Sequence, residues 1–433
     1  MSPKNRSLNR SQEYLQRARK VIPSCTQTFS KGWTQFVQGV APIYLERGQG
    51  SHAWDVDGNS YIDYIMGLGP LILGYNDPDV TAAVQRQLSD GVIFSLPHPL
   101  EVEVAELLAQ VVPCAEMVRF GKNGSDATTG AIRAARAYTG RDLVASCGYH
   151  GWQDWSIGTT TRNLGVPEGV RRLTLPFTYN NIDSLKALFS MHPGQIAAVI
   201  MEPIGVETPT NDFLREVADL TRRDGALLIF DEVLTGFRIA LGGAQEFFGV
   251  SPDLACFAKA MANGFPLSAV VGRRQVMEVF DQIFFSFTFG GEAVALAACR
   301  ATVEKLRMQP VLEHVWRQGR RLQDGVNAAA SSLGLESHVQ CVGLPPRTVV
   351  VFKDGSGQDS LTLRSLFQQE LIKRDILFSV GFNPSWAHAD EDVERTLEAC
   401  SEALRIVSRG LENPRIIERL LEGPPVQPVF RRP

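Results

Sequence analysis

The chain has 433 residues, a hydrophobic content of 44%, a charged content of 21% and a formal net charge of -4. This length exceeds what one ordinary hydrophobic core needs, and it predicts a large domain with a smaller one. The small net charge argues against a nucleic-acid partner, and no apolar run reaches the roughly 18 residues of a membrane span.

Cysteine and histidine usage argues against metal and redox chemistry. The seven cysteines are scattered singly without a CxxC pair, and the histidines show no HExxH spacing. The polar opening from Met1 to Ser7 leads into no apolar stretch, which predicts no secretory leader. We therefore expect reduced thiols, a cytoplasmic location and no metal site.

The two ends of the chain differ in pattern from its middle. The N-terminal part predicts a helix from Ser11 to Val21 and a turn from Asp55 to Asn59. The C-terminal part predicts an amphipathic helix that stops at Gly410, followed by an arm of about twenty residues over the surface or a partner subunit. We expect 1–65 and 309–433 to form a smaller α+β domain, and 66–308 to form the large one.

In the middle, helical patterns alternate with short apolar runs, which predicts a mainly parallel sheet with helices on both faces. Three runs read as strands buried on both sides: Ile196 to Met201, Ala226 to Phe230 and Leu254 to Ala258. Each is followed by an ionisable residue, and these are Glu202, Asp231 and Lys259. Three charged strand ends in succession predict one rim with shared chemistry.

A second group of residues suits an anion and a flat ring. Gly124 and Ser125 precede a helical stretch that Gly140 ends, and a helix start presents free N–H groups to a phosphate. A plain N-cap role for Ser125 is the alternative. Tyr149 and His150 follow a predicted strand and offer aromatic faces, with core packing as the alternative. Thr288, beside paired glycines, is another hydroxyl for a phosphate or the cap of a tight turn.

Lys259 and Asp231 complete the constellation. Burial would favour a neutral lysine amine able to attack an aldehyde, although a lysine reaching to solvent is the alternative. A buried Asp231 needs a cationic partner, which a protonated pyridine nitrogen or a neighbouring arginine would supply. An anion-binding helix start, a stacking aromatic, a buried carboxylate and a strand-end lysine are together the parts of a pyridoxal phosphate site.

These residues resemble the class III aminotransferases of the fold-type I pyridoxal phosphate enzymes, especially the glutamate-1-semialdehyde aminomutase branch. The likeness runs from Pro42 to Leu404 and includes the motifs Trp54 to Gly58, Leu227 to Val233 and Ala387-His388.

The resemblance implies roles for single residues. Lys259 would form the imine and move the substrate proton, and Asp231 would hold the pyridine nitrogen. Val233 and Tyr149 would cover the two ring faces, with His150 and Glu202 also at the cofactor. Gly124 and Ser125 would bind the phosphate, and Thr288 would reach the phosphate in the neighbouring subunit of a homodimer.

Departures from the aminomutase branch bear on the reaction. Phe29 to Trp33 replaces a segment that carries the arginine for the substrate carboxylate, and the segment after Gly151 is shorter than the gating loop. Glu207 stands where ω-aminotransferases carry a switching glutamate; a solvated surface acid is the alternative. We predict a ping-pong aminotransferase acting on small-molecule donors and acceptors. A 2,1-aminomutase and a non-catalytic cofactor-binding protein are the alternatives.

Overall fold

The computed structural model describes residues 6–412 and 414–429, without the side chains of residues 414, 415 and 418. Within this part, the chain forms two compact units, one from 6–77 and 313–429 and the other from 78–312. In the described ranges no helix has both the length and the apolar composition needed to cross a bilayer.

The first unit opens with a helix, three short 3-10 turns and an antiparallel meander. The elements are α1 (Asn9–Val21), the turns Pro23–Cys25, Phe29–Lys31 and Trp33–Gln35, and the strands β1 (Leu45–Gln49), β2 (His52–Asp55) and β3 (Ser60–Asp63). The predicted first helix is confirmed, and the predicted turn from Asp55 to Asn59 lies between β2 and β3, where the Gly58 N–H donates to the Asp55 carbonyl at 3.0 Å.

The second unit is built on one seven-stranded sheet. Its strands are β4 (Met117–Gly121), β5 (Leu143–Cys147), β6 (Thr174–Pro176), β7 (Ile196–Met201), β8 (Leu227–Asp231), β9 (Leu254–Phe257) and β10 (Ser268–Gly272). Their spatial order is β4-β10-β9-β8-β7-β5-β6. β10 runs antiparallel to both of its neighbours, and the other pairs are parallel.

Helices cover both faces of this sheet. They are α2 (Pro78–Asp90), α3 (Pro99–Val111), α4 (Gly124–Thr139), α5 (Asp154–Ile157), α6 (Glu168–Arg171), α7 (Ile182–Met191), α8 (Phe213–Asp224), α9 (Ala244–Phe248), α10 (Arg274–Met277) and α11 (Ala293–Met308), with 3-10 turns at Lys259–Ala262 and Glu278–Asp281. Along β7, Ala198 and Ile200 join a core with α4, whereas Val199 and Met201 join a core with α7 and α8. Alternate residues thus enter two different cores, which is why β7 is apolar throughout. The predicted mainly parallel sheet is confirmed.

The remaining elements return to the first unit. They are α12 (Val311–Ser332), β11 (Val339–Leu344), β12 (Arg347–Phe352), α13 (Leu361–Ile372), β13 (Ile376–Leu377), α14 (Asp390–Glu412) and α15 (Pro414–Leu420). β11 and β12 form a separate antiparallel pair, and β13 extends the meander by pairing in parallel with β3. Residues 6–77 and 313–429 thus form a smaller α+β unit.

The predicted stop at Gly410 is wrong, because α14 continues to Glu412 and Gly410 is a buried position inside it. A Cβ on Gly410 would lie 3.0 Å from Cγ1 of Ile417 on α15. The missing side chain therefore provides room for a close approach of the two helices rather than a helix end.

Part of the predicted C-terminal arm, at Val426 and Gln427, lies on the first unit. The Val426 N–H donates to Ser365 Oγ, and the Gln427 N–H donates to the Thr34 carbonyl, each at 2.9 Å. Val426 is buried against Val37 and its neighbours. Residues 430–433, at the end of the predicted arm, lie outside the described residues.

His388 of the Ala387-His388 motif is a buried base in the first unit. Its Nδ1 accepts from the Ser385 N–H at 3.0 Å, and its ring stacks on Tyr64 at 4.4 Å between centroids. Burial lowers the pKa of His388 from 6.5 to about 4. In the unfolded chain His388 therefore binds a proton as the pH falls below about 6.5. In the folded chain it does so only near pH 4. We expect the free energy of unfolding to fall by about 3 kcal/mol as the pH drops through this window.

The measurement is the urea midpoint of unfolding between pH 4 and pH 7.5. In His388→Gln the acid-side loss of stability should shrink, whereas His192→Gln, at a half-buried histidine, should leave the slope of the parent. Identical slopes in the parent and His388→Gln would contradict the assignment.

Candidate functional site

Four neighbouring parallel strands of the second unit end at one edge. Cys147 on β5 is in register with Met201 on β7, Met201 with Phe230 on β8, and Asp231 with Cys256 on β9. The residues directly after these positions are therefore carried to the same rim, which is where ligands bind in open α/β sheets. The rim carries Glu202, Asp231 and Lys259, which the sequence predicted at one edge, and Tyr149 lies beside them.

Lys259 begins the 3-10 turn after β9 and is half-buried. Its φ is 45°, a left-handed conformation that costs a residue with a side chain about 1–2 kcal/mol. Strain of this kind persists where the surrounding structure fixes the backbone, and it is frequent at functional positions. The residues that follow Lys259 are enclosed, since Ala260, Met261 and Ala262 are all buried.

Asp231 ends β8 and is only 4% exposed. Its Oδ1 accepts from the Val233 N–H at 3.1 Å, and its Oδ2 lies 2.8 Å from Nδ1 of His150. These contacts hold the carboxylate in one orientation. A buried carboxylate at a ligand-binding rim is an acceptor for a cationic N–H of a ligand.

His150 lies behind Asp231. Its ring is stacked on Trp155 at 6.0 Å with an 8° interplanar angle, and Nε2 lies 3.1 Å from the Cys147 carbonyl. Because a carbonyl only accepts, Nε2 is the donor in its contact with the Cys147 carbonyl. The contact at Nδ1 fixes the position of the Asp231 carboxylate.

The predicted anion turn stands at the start of α4. Asn123 is the N-cap and forms a capping box with Asp126. Ser125 is therefore the second residue of the helix. The alternative in which Ser125 caps this helix is therefore wrong. Ser125 Oγ instead accepts from the Trp152 N–H at 3.2 Å, which ties the helix start to the segment that carries Tyr149 and His150.

Two glycines allow close packing at this helix start. A Cβ on Gly124 would lie 2.9 Å from Cγ1 of Val233, and a Cβ on Gly151 would overlap Oγ of Ser125. The turn therefore sits directly against Val233 and the segment after His150. The first N–H groups of α4 stand at this packed turn, and a helix start of this kind is suited to an anion.

Gly151→Ala tests this packing. At φ +114° an alanine is strained, and its methyl group would displace Ser125. We expect a loss of about 2–3 kcal/mol in the free energy of unfolding and at least about tenfold weaker binding of a phosphate-bearing ligand. The measurements are thermal unfolding and ligand titration.

Gly165→Ala is the matched control for Gly151→Ala. Gly165 also has a positive φ of +90°, but a Cβ at this position would meet no atom within 4 Å. It should therefore show the backbone strain without the loss of ligand affinity. Equal ligand affinity in the two variants would contradict the role of the crowding.

Tyr149 and Glu202 flank the rim on the β5 and β7 side. The Tyr149 N–H donates to Glu202 Oε1 at 3.3 Å, while about half of the tyrosine side chain remains exposed. Burial and the charge of Asp231 raise the pKa of the Tyr149 hydroxyl. Burial and Glu202 raise the pKa of the Cys147 thiol to about 12, so this thiol is unreactive. The exposed part of the Tyr149 ring is available for stacking.

Thr288 follows the rim residues in the sequence and lies in an exposed turn between β10 and α11. Glu207 is also exposed, and its Oε2 lies 3.4 Å from the Asn180 amide nitrogen. The switching role considered for Glu207 therefore stays a hypothesis.

Glu232 is a residue whose role sequence reasoning missed. It is fully buried, it accepts from the N–H groups of Ala244 and Gln245 at 2.7 and 2.8 Å, and it also accepts from the Thr235 hydroxyl. Burial raises the pKa of its carboxyl. The only local signal was an acid directly after a buried strand, and its partners twelve and thirteen residues away are not visible as a pattern.

Comparison with known proteins gives one consistent family. The family model described as Aminotransferase class-III matches residues 36–403. A 3-aminobutyryl-CoA aminotransferase of Cloacimonas acidaminovorans is 36% identical over 93% of this chain and 99% of its own length. A glutamate-1-semialdehyde 2,1-aminomutase of Alkaliphilus oremlandii is 37% identical over 92% of this chain and 99% of its own length.

Two solved structures are similar over nearly the whole fold. The FumI protein of a Sphingopyxis species, in its PLP internal aldimine form, is 30% identical, with a TM-score of 0.87 over 93% of this chain and 98% of that one. An omega-transaminase from Sphaerobacter thermophilus is 30% identical, with a TM-score of 0.84 over 92% of this chain and 98% of that one.

Proposed function

The chain belongs to the class III aminotransferase family, and we propose from its site that it moves an amino group from a donor to a carbonyl acceptor in two half-reactions, with pyridoxal 5'-phosphate as the cofactor. The observation that carries the proposal is the rim that places the fixed, buried carboxylate of Asp231 and the strained Lys259 at the ends of neighbouring strands.

The residues present fit this cofactor. When bound, pyridoxal phosphate supplies an aldehyde for a lysine amine and an electron sink for bonds broken at the substrate carbon. The turn at Gly124 and Ser125 offers a helix start for the phosphate. A side chain at position 124 or 151, where the chain has glycine, would crowd this turn. Asp231 would accept a hydrogen bond from a protonated ring nitrogen, and Val233 and the exposed ring of Tyr149 would suit the two sides of a flat ring.

Each of the chain's own groups then has a task. With the cofactor bound, Lys259 Nζ would hold it through its aldehyde and would move a proton at the substrate carbon. Asp231 would hold the ring nitrogen, with His150 fixing the carboxylate from behind. Glu202 holds the backbone of Tyr149, which orients the stacking ring.

We further propose a cytoplasmic homodimer in which Thr288 of each subunit reaches the phosphate bound to the other. The exposed position of Thr288 supports this arrangement, and the seven free cysteines support a reducing compartment. The altered segment from Phe29 to Trp33 favours an acceptor other than an α-amino acid, such as a sugar-like carbonyl compound.

A 2,1-aminomutase is the second candidate, because the aminomutase from Alkaliphilus oremlandii is 37% identical to this chain. The shorter segment between Gly151 and Leu173 favours release of the first product, which is transamination. Incubation with one amino substrate and no carbonyl acceptor separates the two. An aminotransferase stops after a single turnover per active site, whereas a mutase continues for many turnovers.

A screen of amino donors and carbonyl acceptors tests the main proposal. The change in visible absorbance as the cofactor takes up an amino group reports the first half-reaction, and return of the original spectrum on adding an acceptor reports the second. If the chain binds the cofactor but none of the donors changes its spectrum, the result would support the non-catalytic alternative.

A further inference from the structure

The loop that carries Thr288 is tied at both ends to the strand and turn that lead into α4. We call residues 286–291 the Thr288 loop. At its start, Nη2 of Arg119 on β4 donates to the Phe285 carbonyl at 2.7 Å. At its end, Nζ of Lys122 in the turn before α4 donates to Oε2 of Glu292 at 2.8 Å.

The ion pair at the end of the loop is well protected. The side chains of Lys122 and Glu292 are 18% and 12% exposed. Glu292 also accepts from the Val294 and Ala295 N–H groups at 2.8 and 3.2 Å, so the same carboxylate caps α11. A charge-assisted hydrogen bond in such surroundings is stronger than a solvated surface pair. The base of the loop is consequently fixed.

The tip of the loop is presented outward. Thr288 is exposed, and Phe289 is 58% exposed although it is a large apolar side chain. Below the tip there is little freedom, since a Cβ on Gly291 would overlap Oε1 of Glu101. A fixed base and an exposed tip are what a loop needs to place one hydroxyl in another molecule.

Lys122 adjoins the phosphate turn at Gly124 and Ser125, where a lysine would ordinarily be assigned to the phosphate of its own subunit. Its ammonium group is instead engaged by Glu292. We infer that the Lys122–Glu292 ion pair positions the Thr288 loop for the cofactor phosphate of a second copy of this chain. Lys122 is then a positioning residue for the partner's site. The inference rests on the proposed homodimeric function.

Hybrid dimers containing a single lysine-bound cofactor test the direction of the effect. In the first hybrid, a Lys122→Met chain pairs with a Lys259→Ala chain, so the bound cofactor lies in the variant chain but is served by an intact partner loop. In the second, an otherwise native chain pairs with a chain carrying both Lys122→Met and Lys259→Ala, so the bound cofactor is served by the altered loop. The readout is the rate at which the visible absorbance of lysine-bound cofactor decays after dilution.

We expect roughly tenfold faster loss of cofactor in the second hybrid only, as befits loss of one charge-assisted hydrogen bond. Faster loss in the first hybrid alone would show that Lys122 serves its own phosphate and would overturn the inference, as would equal rates in both. Glu292→Gln, which keeps an oxygen to cap α11, should repeat the pattern if Lys122→Met folds poorly. Lys186→Met, at a surface ion pair with Asp183, should change neither hybrid.

Failure of this inference is distinguishable from failure of the function. A monomeric chain that shows the visible band of lysine-bound cofactor would overturn the inference and leave the aminotransferase in place. A native chain without that band would overturn the proposed function itself.

Discussion

Lys259→Ala is expected to lower the rate of amino transfer by about 10⁴-fold, because the variant loses both the amine that bonds the cofactor and the group that moves the substrate proton. The visible absorbance of lysine-bound cofactor should disappear, while cofactor phosphate is still held at the start of α4. Steady-state kinetics and an absorbance spectrum of the dialysed protein check the two parts separately.

The position of Lys259 makes this variant informative. Its left-handed φ of 45° places a strained residue between a strand buried at every position and a buried turn. Alanine tolerates the same backbone no worse than lysine, so the fold should be preserved. Lys186→Ala, on the exposed face of α7, is the control and should behave as the parent. If the Lys259→Ala protein is still yellow without substrate, a different lysine bonds the cofactor and the assignment of Lys259 is refuted.

The rim could be predicted from sequence because it depends on local patterns. A strand buried on both faces must be apolar at every position, so the first ionisable residue after it marks the strand end. β7 was predicted with its observed bounds, and Glu202, Asp231 and Lys259 were predicted at one edge because parallel strands end together. The division into a large domain at 66–308 and a smaller one remains a prediction.

Features that depend on long-range register could not be predicted. His150 and Asp231 are 81 residues apart, and Lys122 and Glu292 are 170 residues apart, so no local spacing reveals either contact. Gly410 was interpreted as a helix stop because glycine commonly ends helices, whereas here the approach of Ile417 determines its place. In each case tertiary packing determines the feature, and the local sequence does not show it.

Asp231→Asn is expected to reduce kcat/KM by on the order of 10²–10³, since it removes a fixed charge where the cofactor ring needs one. The amide keeps nearly the shape of the carboxylate, and its oxygen can still accept from the Val233 N–H. The measurement is the second-order rate constant of each half-reaction, taken at donor and acceptor concentrations well below saturation, with cofactor content determined in the same samples.

The hydrogen bonds around Asp231 show why this variant should stay folded. With asparagine, the amide N–H can donate to His150 Nδ1, while Nε2 continues to donate to the Cys147 carbonyl, so a neutral histidine satisfies both neighbours. The lost rate therefore reports the charge and not a broken network. Asp183→Asn, at an exposed acid on α7, should retain the parent rate. An Asp231→Asn enzyme with full cofactor content and an unchanged rate would show that the ring nitrogen needs no anionic partner, and the proposed chemistry at this rim would have to be abandoned.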